Sequence, residues 1–440
     1  MIPKVIDLGE RMTLRLCKTD AFKSGRLSLS IVLPTEETAY VTSLLFSVLL
    51  RGTERYPSVS ALNRRLDYLY GAELSMRNSY RGDCHVVGFS VDFLSDEYIR
   101  DGSGALLPAL CELMSEILFH PVLDENGLLS AHYVESEKQL QCDAIRAQKN
   151  SPSSYSVKRL NAMMYANEPC GRSRLGTEEA VMAITPEVLT AHWKHLLESL
   201  TLDFFYVGSA DENTLTCAIC GAFEGRLPSG KRGALSPFGA SYTPRAPRTG
   251  EEMLPIKQAH LAIGLRAPHA TLCDDAFYAC VLFNELLGAS PVSKLFMNVR
   301  EKLSLCYSCS SAYNAYKGTV VIGCGLESQN RDVANEAILR QVREIAEGDF
   351  SDEDWIAAQK SVENAYRQMT DSPRAMENFY FGRAIAGVEA DIDACLSRFA
   401  RVTRDEVEAV AATFVTDAVF FLRADPSRLC DGEEACDEED

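Results

Sequence analysis

The chain has 440 residues, of which 46% are hydrophobic and 24% are charged. This composition is typical of a folded protein and excludes a disordered one, and the length exceeds one ordinary hydrophobic core, which predicts roughly two to four domains. The 62 acidic and 44 basic residues give a formal net charge of −18, which repels nucleic acids and anionic membranes and argues against both as partners.

The start of the chain and its cysteines predict a cytoplasmic protein. Residues 1–14 lack the apolar core of a signal peptide, and no stretch approaches the roughly 18 consecutive apolar residues that span a membrane. The fifteen cysteines are scattered through apolar and helical segments, as free buried thiols are. We therefore expect a reducing compartment and no disulfide framework.

The first half of the chain alternates strand and helix patterns. An apolar strand is predicted over residues 27–34 and an apolar helix over residues 44–50. Residues 84–93 alternate as a strand does, and residues 105–119 have the 3.6-residue period of a helix. The half ends with a strand over residues 203–208, so the pattern favours layered α+β structure over a doubly wound parallel sheet.

The second half repeats this order after a linker. Residues 225–250 are rich in Pro, Gly, Ser and Ala, with five basic residues and no acidic residue, which is typical of a linker. An apolar strand over residues 260–268 and a helix over residues 281–287 follow, and strands over residues 318–325 and 417–422 flank a helical pattern. The second half therefore predicts the same kind of α+β domain.

The two halves match as a duplication. An offset of 237 residues aligns the two apolar helices and places Tyr70 on Tyr307. This repeat is far longer than a solenoid unit, so it indicates two domains of like fold, each an antiparallel sheet packed with helices. The predicted organisation is a first domain at 1–228, a linker at 229–250, a second domain at 251–430 and an acidic tail at 431–440.

The second half contains a motif that carries chemistry. Residues 286–308 read LLGASPVSKLFMNVREKLSLCYS, which resembles the C-terminal-domain signature of the pitrilysin/insulinase-type zinc metallopeptidases, the family of mitochondrial processing peptidase. The resemblance implies that Arg300 and Tyr307 hold the substrate peptide. Arginine offers a planar fork of donors for a substrate carbonyl, and tyrosine adds a phenol donor for a developing oxyanion. The alternative is that Arg300 pairs with an acid and Tyr307 is a core residue.

The resemblance extends along nearly the whole chain and implies a zinc site in the first half. In active relatives this site is H-x-x-E-H, followed by a second glutamate much later in the chain. The landmark Leu49–Thr53 is present, but the four functional positions hold residues that neither bind zinc nor act as a base: Ser43, Phe46, Ser47 and Ala144. We therefore predict no zinc and no catalytic residue at this site.

Other spacings typical of metal ligands receive no assignment. His192 and His195 are three residues apart with Glu198 after them, but the repeat places them in the last helix of the first half. Two C-x-x-C pairs occur, Cys217 with Cys220 and Cys306 with Cys309. A zinc knuckle would require the two pairs to meet, so we predict no metal in this chain.

The resemblance leaves three functional hypotheses. The first is an inactive subunit, half of a clamshell, that pairs with a zinc-bearing homologue in a heterodimer, or with itself, and helps to bind a peptide. In this hypothesis the chain has no cofactor, and zinc is in the partner alone. The second is a stand-alone binding or scaffold protein, and the third is a metallopeptidase with rearranged ligands. The chain is also similar to the bacterial YmfF-like group, which is regarded as inactive.

Overall fold

The computed structural model describes most of the chain as two compact units. The described residues are 2–99, 106–230, 235–239 and 245–425. The first unit comprises Met1–Arg146, Arg172–Pro237 and Gln368–Asp391, and the second comprises Ala147–Gly171, Phe238–Arg367 and Ile392–Asp440. The predicted acidic tail, 431–440, lies outside the described residues, as does part of the predicted linker.

Strands and helices alternate along both halves of the chain. The strands of the described residues are β1 Lys4–Asp7, β2 Met12–Lys18, β3 Ser24–Pro34, β4 Glu73–Arg81, β5 Cys84–Leu94, β6 Leu202–Gly208, β7 Arg248–Leu254, β8 Ala259–Arg266, β9 Ser308–Asn314, β10 Thr319–Leu326 and β11 Val415–Ala424. The α-helices are α1 Ala39–Leu49, α2 Val59–Tyr68, α3 Leu106–Phe119, α4 Ala131–Ala147, α5 Pro152–Met164, α6 Glu178–Met182, α7 Pro186–Glu198, α8 Glu212–Phe223, α9 Phe277–Asn284, α10 Arg331–Ala346, α11 Asp352–Gln368, α12 Pro373–Ala386, α13 Ile392–Phe399 and α14 Arg404–Thr413. Two π-helical segments, Glu285–Ala289 and Leu295–Lys302, follow α9.

The sheet of the first unit has the order β1-β2-β6-β3-β5-β4. The pair β2 and β6 is parallel, and the other neighbours are antiparallel. Strand β3 is central and is buried along almost its whole length, which is expected when helices cover both faces of a sheet. Helices α1 and α3 pack with β5, and α12 packs with β3 and β6.

The sheet of the second unit has the order β7-β11-β8-β10-β9. Its parallel pair is β7 and β11, and its other neighbours are antiparallel. When β1 is left out, the first sheet has the same order: β2, β6, β3, β5 and β4 correspond to β7, β11, β8, β10 and β9. The parallel pairs, β2 with β6 and β7 with β11, occupy corresponding positions. The prediction of two duplicated α+β domains is therefore confirmed by the matching strand order.

Each unit also includes a helical segment from the other half of the sequence. Helix α5 packs on β8, β10 and β11 of the second sheet, where Met164 and Leu160 join Ala262 and Phe420 in one buried cluster. Helix α12, which lies late in the chain, belongs to the first unit. The predicted boundaries at 228 and 251 follow the repeat in the sequence, whereas the compact units exchange these two segments.

Across residues 2–99, 106–230, 235–239 and 245–425, each helix is too short or too polar to cross a membrane.

Candidate functional site

Helix α1 carries the first three positions at which active relatives have zinc chemistry. Ser43 is buried, with 2% of its surface exposed, and its hydroxyl donates to the carbonyl oxygen of Ala39 at 3.0 Å. The hydroxyl of Ser47 donates to the carbonyl oxygen of Ser43 at 3.3 Å. Both serines therefore bond back to the preceding helical turn, which is the usual way in which a serine is accommodated inside a helix.

Phe46 is part of the hydrophobic core of the first unit. Its side chain is fully buried, and its ring centroid lies 5.4 Å from that of Phe89 on β5. Paired aromatic rings at this separation add to the free energy gained by burying them. The position of the general base is thus occupied by a core residue that has no group to exchange a proton.

The position of the distal glutamate lies on α4. Ala144 is exposed there, and the adjacent Asp143 is exposed and pairs with Arg146 at 3.2 Å. About two turns earlier on the same helix, the carboxylate of Glu137 is buried and forms an ion pair with Arg51. Burial raises the pKa of Glu137, and the charge of Arg51 opposes that rise. The buried acidic group on this helix, Glu137, is therefore engaged in an ion pair within the protein.

The histidines of α7 have separate surroundings. His192 forms a 2.8 Å hydrogen bond with the hydroxyl of Thr42 on α1, and burial lowers its pKa. His195 is largely exposed and lies 3.5 Å from Glu198. Neither histidine belongs to a group of three or more possible metal ligands within the described residues. That this pair binds no metal stays a prediction.

Arg300 lies in the last turn of the π-helical segment Leu295–Lys302. Its side chain is 39% exposed, and its Nε lies 3.5 Å from a carboxylate oxygen of Glu301, which is itself exposed. The guanidinium carbon lies 4.5 Å from the centre of the Phe296 ring, which places the cation within the range of a cation–π contact. Arg300 thus pairs with an acid, as the alternative expects, and lies over a ring, while its side chain stays partly accessible on the second unit.

Tyr307 lies immediately before β9 and is 61% exposed. Ser304 has a left-handed backbone conformation, with φ of +50°, and the backbone N–H of Tyr307 donates to the carbonyl oxygen of Gly325 at 2.8 Å. The phenol donates to Glu327 at 3.1 Å, and this bond raises the pKa of Tyr307 because ionisation beside a carboxylate is disfavoured. The alternative that Tyr307 is a core residue does not fit this exposure.

A cluster of three thiols, here the thiol cluster, surrounds the segment that contains Tyr307. The sulfur atoms of Cys306, Cys309 and Cys324 lie within 4.8 Å of one another. Hydrogen bonds from Cys309 and Cys324, together with the charge of Arg300, lower the pKa of Cys306. The sequence showed the C-x-x-C spacing but not Cys324, which joins the group because β9 and β10 place Cys309 opposite it.

Known proteins resemble the chain along its whole length. Residues 183–362 match the family model described as the Peptidase M16 inactive domain. A Bacillus subtilis (strain 168) protein named "Probable inactive metalloprotease YmfF" is 30% identical over 413 residues, which cover 94% of this chain and 96% of that protein. Its coverage and identity show common descent over both halves.

Solved structures agree with this likeness at the level of the fold. The structure of a conserved protein from Enterococcus faecalis V583 has a TM-score of 0.89 at 23% identity and covers 97% of this chain and 99% of its own. The structure of the peptidase M16 inactive domain from Pseudomonas fluorescens has a TM-score of 0.78 at 16% identity. The match covers 96% of this chain and 98% of that structure. Together with the four substituted positions in the first unit, these findings establish that the chain belongs to the pitrilysin/insulinase (M16) peptidase family as a non-catalytic member.

Proposed function

We propose that this chain is the inactive subunit of a two-protein peptidase, in which it pairs with a zinc-bearing homologue and helps to bind the substrate peptide. The observation that carries this proposal is a contrast between the two units. On the second unit Tyr307 is exposed and Arg300 is partly exposed, whereas Ser43 and Phe46 are buried within the first. Exposed donors without a local zinc site are suited to a reaction whose metal comes from another protein.

Arg300 and Tyr307 have complementary roles in this proposal. The guanidinium offers two parallel donors to a peptide carbonyl, and the phenol offers one donor to the oxyanion that forms on attack. Tyr307 now donates to Glu327, so a substrate oxygen would take the place of that carboxylate as its acceptor. A tyrosine phenol, with an ordinary pKa of about 10, is protonated and therefore a donor at neutral pH.

The chain itself has no zinc in this proposal, and the metal belongs to the partner. A zinc ion needs three protein ligands in a catalytic site, and the first unit offers two serines and an alanine at those positions. The thirteen cysteines of the described residues are free thiols, which supports a reducing, cytoplasmic location. A self-dimer is the alternative assembly, and a scaffold without a peptidase partner is the alternative function.

The first prediction tests the pairing and the two donors together. Co-expression with a homologue of the same organism that has an intact H-x-x-E-H should yield a complex that cleaves peptides, while this chain alone cleaves none. Arg300→Ala or Tyr307→Phe should lower kcat/KM about 10²–10³-fold, since a lost oxyanion donor costs that much. Size-exclusion chromatography should show unchanged assembly.

Two exposed residues away from the motif provide matched controls. Arg340→Ala on α10 and Tyr68→Phe on α2 remove a guanidinium and a phenol hydroxyl that are at least half exposed, and both should leave the rate unchanged. A complex that forms but cleaves equally well with Arg300→Ala and Tyr307→Phe would favour the scaffold hypothesis. Failure to pair with any zinc-bearing homologue would leave the self-dimer, which the same chromatography detects.

A further inference from the structure

The thiol cluster is built mainly by the second sheet. Cys309 on β9 and Cys324 on β10 are direct Cα partners in an antiparallel pair, so their side chains lie on the same face of the sheet. Both are nearly inaccessible, with 5% and 2% of their surfaces exposed. Cys306 lies before β9 and is half-buried, and its sulfur completes a triangle whose members are within 4.8 Å of one another.

The size of this triangle suits a metal ion at its centre. Three sulfurs bound at about 2.3 Å in a trigonal plane are about 4.0 Å apart, so the cluster would contract by less than about 1 Å on binding. Two of the three ligands are fixed by backbone pairing, which defines a site better than loops do. The half-buried Cys306 leaves one side through which an ion can enter.

We propose that Cys306, Cys309 and Cys324 form a three-thiolate site for a monovalent copper ion. Thiolates are soft ligands, and the ions that they select include Cu(I) and Zn(II). Within the part of the chain that the structure describes, the cluster has three members, whereas structural zinc sites have four. Copper(I) is satisfied by three sulfurs. Its binding displaces protons from the thiols and changes no oxidation state.

The position of this site links it to the exposed tyrosine. Tyr307 lies between Cys306 and Cys309 in the chain, shortly after the left-handed residue Ser304. An ion held by both cysteines therefore closes a small loop that contains Tyr307. Copper would restrict the movement of the segment from Leu303 to Cys309 without occupying the phenol. This inference depends on the thiol geometry alone and stands whether or not the chain pairs with a peptidase.

The test uses the full-length chain, reduced and free of oxygen, titrated with Cu(I) against a coloured Cu(I) chelator. We expect one copper ion per chain, and at least a tenfold loss of affinity in Cys306→Ser, since even residues that only orient metal ligands affect affinity 10–100-fold. Cys309→Ser should behave alike, with circular dichroism to verify folding. The double variant Cys217→Ser/Cys220→Ser, which removes the other C-x-x-C pair on α8, should bind as the unsubstituted chain does.

Hydrogen–deuterium exchange gives a second measurement. Copper should slow the exchange of residues 303–309 in the unsubstituted chain and leave Cys306→Ser unaffected. The proposal is overturned if the chelator retains all the copper, if Cys306→Ser binds as tightly as the unsubstituted chain, or if Zn(II) displaces the copper. A disulfide within the cluster that forms in air in place of metal binding would also overturn it and assign the cysteines to redox chemistry.

Discussion

The residues at the degenerate zinc position have become part of the fold of the first unit. Ser43 and Ser47 bond to carbonyl oxygens of α1, and Phe46 packs against Phe89. Restoring a histidine or glutamate there would place a polar group in a close-packed apolar environment, which costs free energy unless a partner is supplied. Loss of the zinc site is therefore coupled to the stability of the core around α1.

A second residue of the first unit makes stability depend on pH. His85 on β5 is buried beside Asn78, and burial, with a smaller effect from the charge of Arg174, lowers its pKa to about 4. His85 therefore becomes protonated below about pH 6.5 in the unfolded chain, but only below about pH 4 in the folded chain. The stability present above pH 6.5 is lost as the pH falls across this interval, by up to about 3 kcal/mol.

The second prediction is that His85→Gln removes this part of the pH dependence. Glutamine is neutral throughout and retains a group that can bond to Asn78. Urea unfolding at pH 7 and at pH 4.5 should show a smaller loss of stability for His85→Gln than for the unsubstituted chain. His195→Gln is the control, because His195 is exposed and should leave the pH dependence unaltered. Equal pH dependence in all three proteins would contradict the argument.

The sequence predicts some residues of the candidate site better than others. The substitutions at Ser43 and Phe46 are visible because a spacing within one helix identifies them. Arg300 and Tyr307 are found through one continuous motif, and the structure places both at the surface, while their role in binding stays a prediction. Cys324 could not be assigned, because its approach to Cys309 depends on the register of two strands and not on a local spacing.

Helix α12 supplies the first sheet with a buried charge. The carboxylate of Glu377 is 1% exposed; one oxygen accepts from the Nε of Arg26 at 2.6 Å, and the other accepts from Arg77. Arg26 is also paired with Asp92 on β5. Two guanidinium groups on the sheet, that of Arg26 buried and that of Arg77 partly buried, therefore depend on a helix that lies some 300 residues later in the chain. A buried charge that loses its partner is strongly destabilising.

The third prediction concerns this carboxylate. Glu377→Gln preserves the shape of the side chain but leaves Arg26 and Arg77 without its negative charge, and should lower the free energy of unfolding by about 3–5 kcal/mol. Urea denaturation at neutral pH measures this change. Asn378→Ala, at the exposed neighbouring position on α12, should alter stability by less than about 0.5 kcal/mol. Similar changes in the free energy of unfolding for the two substitutions would show that the ion pairs of Glu377 do not stabilise the fold.

Individual elements are predicted well where periodicity is strong. The strand predicted at 84–93 is β5, and the helix predicted at 105–119 is α3. Sequence periodicity does not distinguish the π-helical segments after α9 from α-helix, because they are only 5 and 8 residues long. The sheet on which α5 or α12 packs was also not predictable, since an amphipathic pattern indicates that a face is buried but not by what.

At the scale of the whole molecule, the α+β sheet is duplicated, and each compact unit also takes a helix from the other half of the sequence. The matching strand orders show that the halves descend from one α+β pattern, as the 237-residue offset in the sequence indicates. The exchanged segments α5 and α12 mean that neither half contains all the elements of its own compact unit. Neither compact unit can therefore form completely from one contiguous half of the chain.

The fourth prediction is that the isolated fragment 1–228 does not fold cooperatively. This fragment retains the first sheet but lacks α12, so Arg26 and Arg77 lose Glu377, and the ring of Phe205 loses its edge contact with Phe381. Near-ultraviolet circular dichroism should show no fixed tertiary packing. Adding a peptide of residues 368–391 should restore it, and the same peptide with Glu377→Gln should restore less. A fragment that unfolds cooperatively without the peptide would contradict this prediction.

The late position of α12 also has a consequence in time. About 165 residues separate the end of β6 at Gly208 from the start of α12 at Pro373. At about 5–20 residues per second, a ribosome needs roughly 8–33 seconds to make that stretch. During this interval Arg26 and Arg77 of the nascent first sheet lack Glu377, and the face of the sheet that α12 covers, which includes Phe205, is uncovered. Chaperones that bind nascent chains should therefore engage this protein longest between the synthesis of β6 and that of α12.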